Sequence, residues 1–170
     1  MLKVFDDLRP FFEDNYRRIN VREYARMAKI SPPSASKMLG NYHKEGLLNK
    51  EMDRNYIYHL ANKDSRIFIE LSRAYWLQRF EKAGFVSYLE SEYMVPVIIL
   101  FGSFSKAEIR PGSDIDVAIF SATVKKASVS KFERTLGRKI QLFAFKSQVD
   151  VENKDLLKSI LSGFMLSGGW

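Results

Sequence analysis

The sequence contains no cysteine and only two histidines, His43 and His59. The first absence excludes disulfides and thiolate metal sites, and the second leaves little for a histidine zinc site or a histidine general base. No uninterrupted apolar run approaches the length needed to cross a bilayer. Met1 to Pro10 already carries Lys3, Asp6, Asp7 and Arg9, unlike a secretory leader. Repeats and low-complexity segments are missing too. A soluble, cytoplasmic protein without membrane association is expected. Acids are in deficit, with 20 Asp and Glu against 27 Lys and Arg and a net charge of +7, which hints at a polyanionic partner. A chain of 170 residues allows one large domain or two small ones.

What is present centres on Val95 to Phe120. Val95-Pro96-Val97-Ile98-Ile99-Leu100-Phe101 is short, apolar, rich in β-branched residues and closed by Gly102, which reads as a buried strand. Gly102-Ser103 turns the backbone, Phe104 to Glu108 is long enough for one or two helical turns, and Pro111-Gly112-Ser113 is a turn signal. Asp114 to Phe120 reads as a second strand. Its carboxylates Asp114 and Asp116 stand at i and i+2, so both face one side of the sheet, while Ile115, Val117 and Ile119 face the other. Like charges side by side repel. A divalent cation such as Mg²⁺, held by one or two carboxylates and substrate phosphates, relieves that repulsion. The strand-Gly-Ser-helix turn offers N–H groups and a hydroxyl where a phosphate would bind.

Gly102-Ser103, ten intervening residues and Asp114-x-Asp116 resemble the GS-x10-DxD signature of the DNA polymerase β nucleotidyltransferase superfamily, in particular its small stand-alone members. The resemblance covers Phe85 to the C-terminus. Lys106 stands near where the family often has Arg followed by Gly; Ala107 takes the place of that Gly, and Ser113 precedes the first Asp. The resemblance implies transfer of a nucleoside monophosphate from an NTP, ATP in the first instance, to an acceptor hydroxyl. Asp114 and Asp116 would be the catalytic pair and hold Mg²⁺, with Gly102, Ser103, Lys106 and Ser113 on the nucleotide. It also implies an antitoxin-like role, the acceptor then being a partner toxin or another protein.

The family takes a third carboxylate from the following strand, in a string similar to Gly-Arg-Lys-Val-Asp-Leu-Val. The matching string here is Gly137-Arg138-Lys139-Ile140-Gln141-Leu142-Phe143, on an expected strand Lys139 to Phe145 that follows a short helix from Val129 to Leu136. Gln141 stands where the acid belongs, and an amide cannot serve as a general base. Glu133 and Asp150 are the nearest acids in sequence. Asp155 to Leu161 is expected as a last helix, followed by an apolar segment from Gly163 to Trp170.

The N-terminal part reads differently. Phe5, Leu8, Phe11 and Phe12 predict a helix ending near Asn15, with Pro10 in its first turn or at a kink. Asn20-Val-Arg-Glu23 forms a capping box for a helix with Val21, Tyr24, Ala25 and Ala28 on one stripe. Ser31 caps the next, with Pro32 at N1, Ala35, Met38, Leu39 and Tyr42 inward and a polar, basic outer face. Leu47 to Lys50 and Tyr56 to Leu60 flank a turn at Met52-Asp53-Arg54-Asn55, with Arg54 at the tip of a hairpin. This pattern resembles the winged helix-turn-helix domains of prokaryotic regulators. Arg17 to Lys63 holds ten Lys and Arg against four acids, a net +6. Duplex DNA is the expected partner: Ser34, Ser36, Lys37 and Asn41 would enter the major groove, and Lys44, Lys50 and Arg54 would lie along phosphates.

Asp64 to Glu92 reads as two helices broken at Ala83-Gly84, the first an aromatic-rich connector whose Phe68, Tyr75, Trp76 and Phe80 cover core or a dimer mate. The expected fold class is therefore α+β: a mostly α winged helix-turn-helix domain over 1–63, a helical connector over 64–83, and an α/β nucleotidyltransferase-like domain with a mixed sheet over 84–170. Two function classes stay open, a DNA-binding nucleotidyltransferase and a DNA-binding regulator that binds nucleotide without turnover. A homodimer is compatible with either.

Overall fold

A computed structural model describes residues 2–169 of the chain. The architecture is α+β, with helices around one three-stranded and one four-stranded sheet. The chain divides into two compact units. One comprises the chain up to Ser72 together with Ala107–Pro111; the other comprises Arg73–Lys106 and the chain from Gly112 onward. The division falls inside helix α4 (Arg66–Ala83).

The first unit runs α1 (Lys3–Glu13), β1 (Ile19–Asn20), α2 (Val21–Ala28), α3 (Pro32–Lys44), β2 (Leu48–Asp53) and β3 (Tyr56–Ala61). Helix α1 buries Phe5, Leu8, Phe11 and Phe12 and carries Pro10 within its length rather than in its first turn. It ends at Glu13, two residues before the expected Asn15, and Asn15 has a tertiary role instead. Its buried amide donates to Phe11 O at 2.7 Å and accepts from Ile109 N at 2.6 Å. Half of the expected capping box forms: Asn20 accepts from Glu23 N, whereas the Glu23 carboxylate pairs with Arg17 at 2.8 Å. Ser31 caps α3 by accepting from Ser34 N, with proline in the first turn.

Two tyrosines fix these helices. Tyr42 donates to Asp7 Oδ2 and Tyr24 to Asp7 O, both at 2.8 Å, and burial next to the Asp7 carboxylate raises both phenols above their usual pKa. Of the expected inward residues, Tyr24, Ala25, Ala35 and Leu39 are buried and Met38 and Tyr42 half-buried, but Ala28 is exposed because α2 ends there. Strands β2 and β3 form an antiparallel hairpin, with β1 on the far side of β3. The hairpin is longer than expected, and its turn is the pair Arg54-Asn55, at φ 45° and 68°. Two left-handed residues in a two-residue loop match the twist of the flanking strands.

The second unit contains the rest of α4, α5 (Phe85–Glu92), β4 (Val97–Phe101), α6 (Gly102–Lys106), β5 (Ile115–Phe120), α7 (Ser130–Leu136), β6 (Ile140–Phe145), α8 (Lys154–Leu161) and β7 (Phe164–Ser167). Its sheet is mixed, in the order β6-β5-β4-β7. The β5/β6 pair is parallel and the β4/β5 and β4/β7 pairs antiparallel. Every residue of β4 is buried, as its unbroken apolar run requires. The strand begins at Val97 rather than Val95, because Val95 is at φ 44° and lies in solvent. Tyr75, Trp76 and Phe80 of α4 are all buried, Trp76 edge-on to Phe104 at 4.7 Å and Phe80 against Phe85 at 5.8 Å. A helix with such residues on several sides needs packing on several sides, which explains the surplus of aromatics. Among the described residues, no helix is long and apolar enough to cross a membrane.

Candidate active site

The site begins with a glycine. Gly102 ends β4 at φ 66° and opens α6. A side chain is excluded there twice. The left-handed backbone disfavours one, and a Cβ would collide with the Asp116 Oδ2 atom. The turn can follow β4 this tightly only because residue 102 has no side chain, and the same absence lets Asp116 lie against the backbone of the Gly102-Ser103 turn. Downstream, Ala107 is at φ 53° and fully buried. A left-handed backbone favours glycine, and this chain holds it with alanine.

Asp116 lies within β5, while Asp114 is two residues earlier, just before the strand rather than on it as expected. Asp116 pairs in register with Phe101 of β4 and with Gln141 of β6. Residues aligned across strands share a face, so Gln141 stands beside the carboxylates, at the position from which a third acid would act. Its Nε2 donates to Asp114 Oδ2 at 2.7 Å. Ile115, Val117 and Ile119 point to the opposite face and are fully buried. Further along, the carboxylate face is itself core: Ala118 and Phe120 pack with Val97, Ile99, Phe101, Val151 and Ile160, with Phe143, Phe145, Leu156 and Leu157 alongside. The acids therefore occupy the point where an apolar layer stops.

Asp114 and Asp116 are half-buried. The Asp116 carboxyl is held above its usual pKa, first by burial and then by the Asp114 charge. This pair suits one hard cation that shares phosphate oxygens with a nucleotide. A second ion completed by a third acid does not fit, because an amide holds that place with its N–H₂ turned to Asp114. Among the described residues no three His, Asp or Glu side chains cluster to hold a metal.

Ser103 follows Gly102 in the first turn of α6, half-buried; Lys106 ends that helix and is exposed; Ser113 is half-buried one residue before Asp114. The two other acids are engaged elsewhere. Asp150 Oδ2 accepts from Ser147 N at 2.8 Å and Ser147 Oγ at 2.7 Å, closing a capping box around the turn Gln148–Asp150. Glu133 Oε1 accepts from Ile140 N at 3.1 Å. Lys139 escaped the sequence reading as a site residue. It precedes β6, two residues before Gln141, and its carbonyl accepts from Ile115 N at 2.8 Å. Its ammonium, with the side chain 78% exposed, is 3.8 Å from Glu133.

The sequence-derived nucleic-acid residues belong to the first unit. Ser34, Ser36, Lys37, Asn41 and Lys44 are exposed on α3, Lys50 is exposed on β2, and Arg54 is exposed at the hairpin turn. Ser34 Oγ is 2.8 Å from Ser31 Oγ. Arg18 pairs with both Glu51 and Asp53 at 3.2 and 3.3 Å, so one guanidinium answers two acids of β2, and with Lys50 and Arg54 this group is left at a net +1.

Residues 85–163 match the family described as Polymerase beta, Nucleotidyltransferase. That span holds the Gly102-Ser103 turn, both aspartates and Gln141, and the mixed sheet agrees with such a domain. It suggests transfer of a nucleoside monophosphate in general terms. No curated protein matches the chain.

Proposed function

We propose that the chain is a Mg²⁺-dependent nucleotidyltransferase, using ATP in the simplest case, joined to a winged helix-turn-helix unit that binds duplex DNA. The observation that carries the first half is the convergence of Asp114, Asp116 and the side-chain-free Gly102 turn at the end of one apolar layer. In this reading Asp114 and Asp116 hold the ion, and Gly102 and Ser103 meet the β and γ phosphates with an N–H and a hydroxyl. Lys106 adds charge and Ser113 borders the nucleotide. The ion supplies neutralisation of phosphate charge. The acceptor oxygen forms a bond to the α-phosphorus, the bond from that phosphorus to the bridging oxygen breaks opposite it, and pyrophosphate departs. The contribution of the side chains is placement, which suffices for much of phosphoryl-type chemistry. The acceptor oxygen belongs to a protein, such as a partner toxin, in one form of this reading.

The first unit supports DNA binding through its order of elements, two helices at a tight turn and then a hairpin, with exposed Lys37, Lys44, Lys50 and Arg54 on the last helix and hairpin. A second reading, a regulator that binds nucleotide without turnover, is favoured by one observation: an amide, bonded to Asp114, in place of the third acid.

Calorimetry with ATP and Mg²⁺, paired with a pyrophosphate-release assay, separates the readings. Heat that vanishes in the double variant Asp114→Asn/Asp116→Asn, together with pyrophosphate release, supports the enzyme. The same heat without release selects the regulator, and undiminished binding by the variant overturns the site.

A further inference from the structure

We propose that the acceptor is an oxygen already ionised at neutral pH, that of a phosphomonoester, rather than a neutral hydroxyl; this rests on the nucleotidyltransferase reading above. A hydroxyl must lose a proton as it attacks, and the group beside the metal-binding pair that would take it is Gln141, which has no basic site. The two other acids nearest in sequence are engaged elsewhere. Asp150 is closed on Ser147 by two hydrogen bonds and Glu133 is held by Ile140 N, while Asp114 and Asp116 are the ion's ligands.

A phosphomonoester needs no base. Its second ionisation falls at a pKa of about 6, so it arrives as a dianion. The step then balances without a proton: a phosphate oxygen bonds to the α-phosphorus, the α–β bridging bond breaks, and pyrophosphate leaves with the electron pair. The product is a phosphoanhydride joining the acceptor phosphate to the nucleoside monophosphate. Lys139 is suited to receive such an acceptor. It lies two residues before Gln141 in the chain, and its exposed 3.8 Å pairing with Glu133 is weak enough to exchange for a phosphate. An amide in place of a third carboxylate also removes one negative charge that would repel an anionic acceptor.

The test uses the full chain, Mg²⁺ and α-labelled ATP. Glycerol 3-phosphate, glucose 1-phosphate and a phosphoserine peptide are each compared with the dephosphorylated counterpart. Label is expected on the phosphorylated member of at least one pair, at a rate that is flat with pH above about 7, where the phosphate is fully ionised. Lys139→Ala should raise KM for that acceptor about tenfold, an effect expected of a lost charge contact, while kcat holds. Gln141→Asp should lower transfer to phosphates and open transfer to hydroxyls. Label only on dephosphorylated members, with a rate that climbs with pH, overturns the proposal, as does transfer to no phosphomonoester while Mg²⁺ and ATP still bind. Loss of ATP binding itself in the wild-type chain would instead overturn the reading on which it rests.

Discussion

Replacing Gly102 by alanine tests whether the glycine is there for Asp116. Two costs follow from the structure and they separate. At φ 66° an L-residue pays a left-handed penalty of about 1–2 kcal/mol. That alone should lower the melting temperature by about 2–8 °C in a chain of this size. The second cost comes from the new methyl group, which meets Asp116 Oδ2 directly and lies 3.4 Å from Asp116 Cγ, so the carboxylate must swing away. Disturbing the orientation of a metal ligand typically costs about 10–100-fold in metal affinity, so affinity for Mg²⁺ and ATP should fall by that order, beyond what the stability change alone predicts.

A double-variant cycle isolates the contact. With Asp116→Ala as background the collision is gone, and Gly102→Ala should cost only the backbone term. The difference between the two backgrounds, measured by denaturant unfolding, should be a coupling of about 0.5–3 kcal/mol. Equal costs in both backgrounds, combined with unchanged nucleotide affinity for Gly102→Ala alone, would refute the idea that the bare turn exists to admit the carboxylate.

Asp116→Asn should raise the melting temperature of the metal-free protein while abolishing Mg²⁺-dependent ATP binding. A folded-state pKa held above the unfolded value means that ionised Asp116 opposes folding, an effect absent at low pH that sets in as pH rises through the folded pKa; the gain should therefore shrink in acid. His59 gives the opposite slope: burial, then the charges of Lys50 and His43, push its imidazole down to about 4, against a smaller opposing effect of the Ile19 backbone. Stability of the first unit should be full above about pH 6.5 and fall by about 2–3 kcal/mol on acidification toward pH 4, a slope that His59→Phe removes and that urea titrations across this window would measure. If Lys37, Lys44, Lys50 and Arg54 all meet phosphates, the logarithm of duplex affinity should fall against log salt with a slope of about −4, and Lys37→Ala should reduce that slope by about 1; a salt-independent interaction would argue for a protein partner.

What could be read from the sequence was what lies close together along it. The turn at Gly102, the Asp-x-Asp spacing and the proline-started helix α3 are each set by a few consecutive residues, and local steric rules suffice to read them. Strand β7 is the opposite case. Phe164-Met165-Leu166-Ser167 is four residues long and joins β4 across a register shift between Ile98 and Ile99. Its approach depends on Gly163, where a Cβ would come within 2.6 Å of Leu100 O. Nothing within those four residues distinguishes them from an apolar tail; the partner that makes them a strand is more than sixty positions away. Asn15 is alike, an unremarkable polar residue until its amide is seen to bridge Phe11 O and Ile109 N across 94 positions.

Gln141 belongs to both cases, and for that reason it divides the possible functions. Sequence alone identifies the missing acid, because the string from Gly137 to Phe143 aligns without it. Only the parallel register of β5 and β6 puts the amide beside Asp116 and bonded to Asp114. That hydrogen bond changes what the substitution means. A bare loss would leave two half-buried carboxylates facing each other, one already with a raised pKa. The amide instead donates to one of them, so it offsets part of their repulsion with no ion present. A residue that stabilises the metal-free site weakens the drive to bind a second cation while leaving the first site intact, and under the proposal above it leaves one negative charge fewer beside an anionic acceptor.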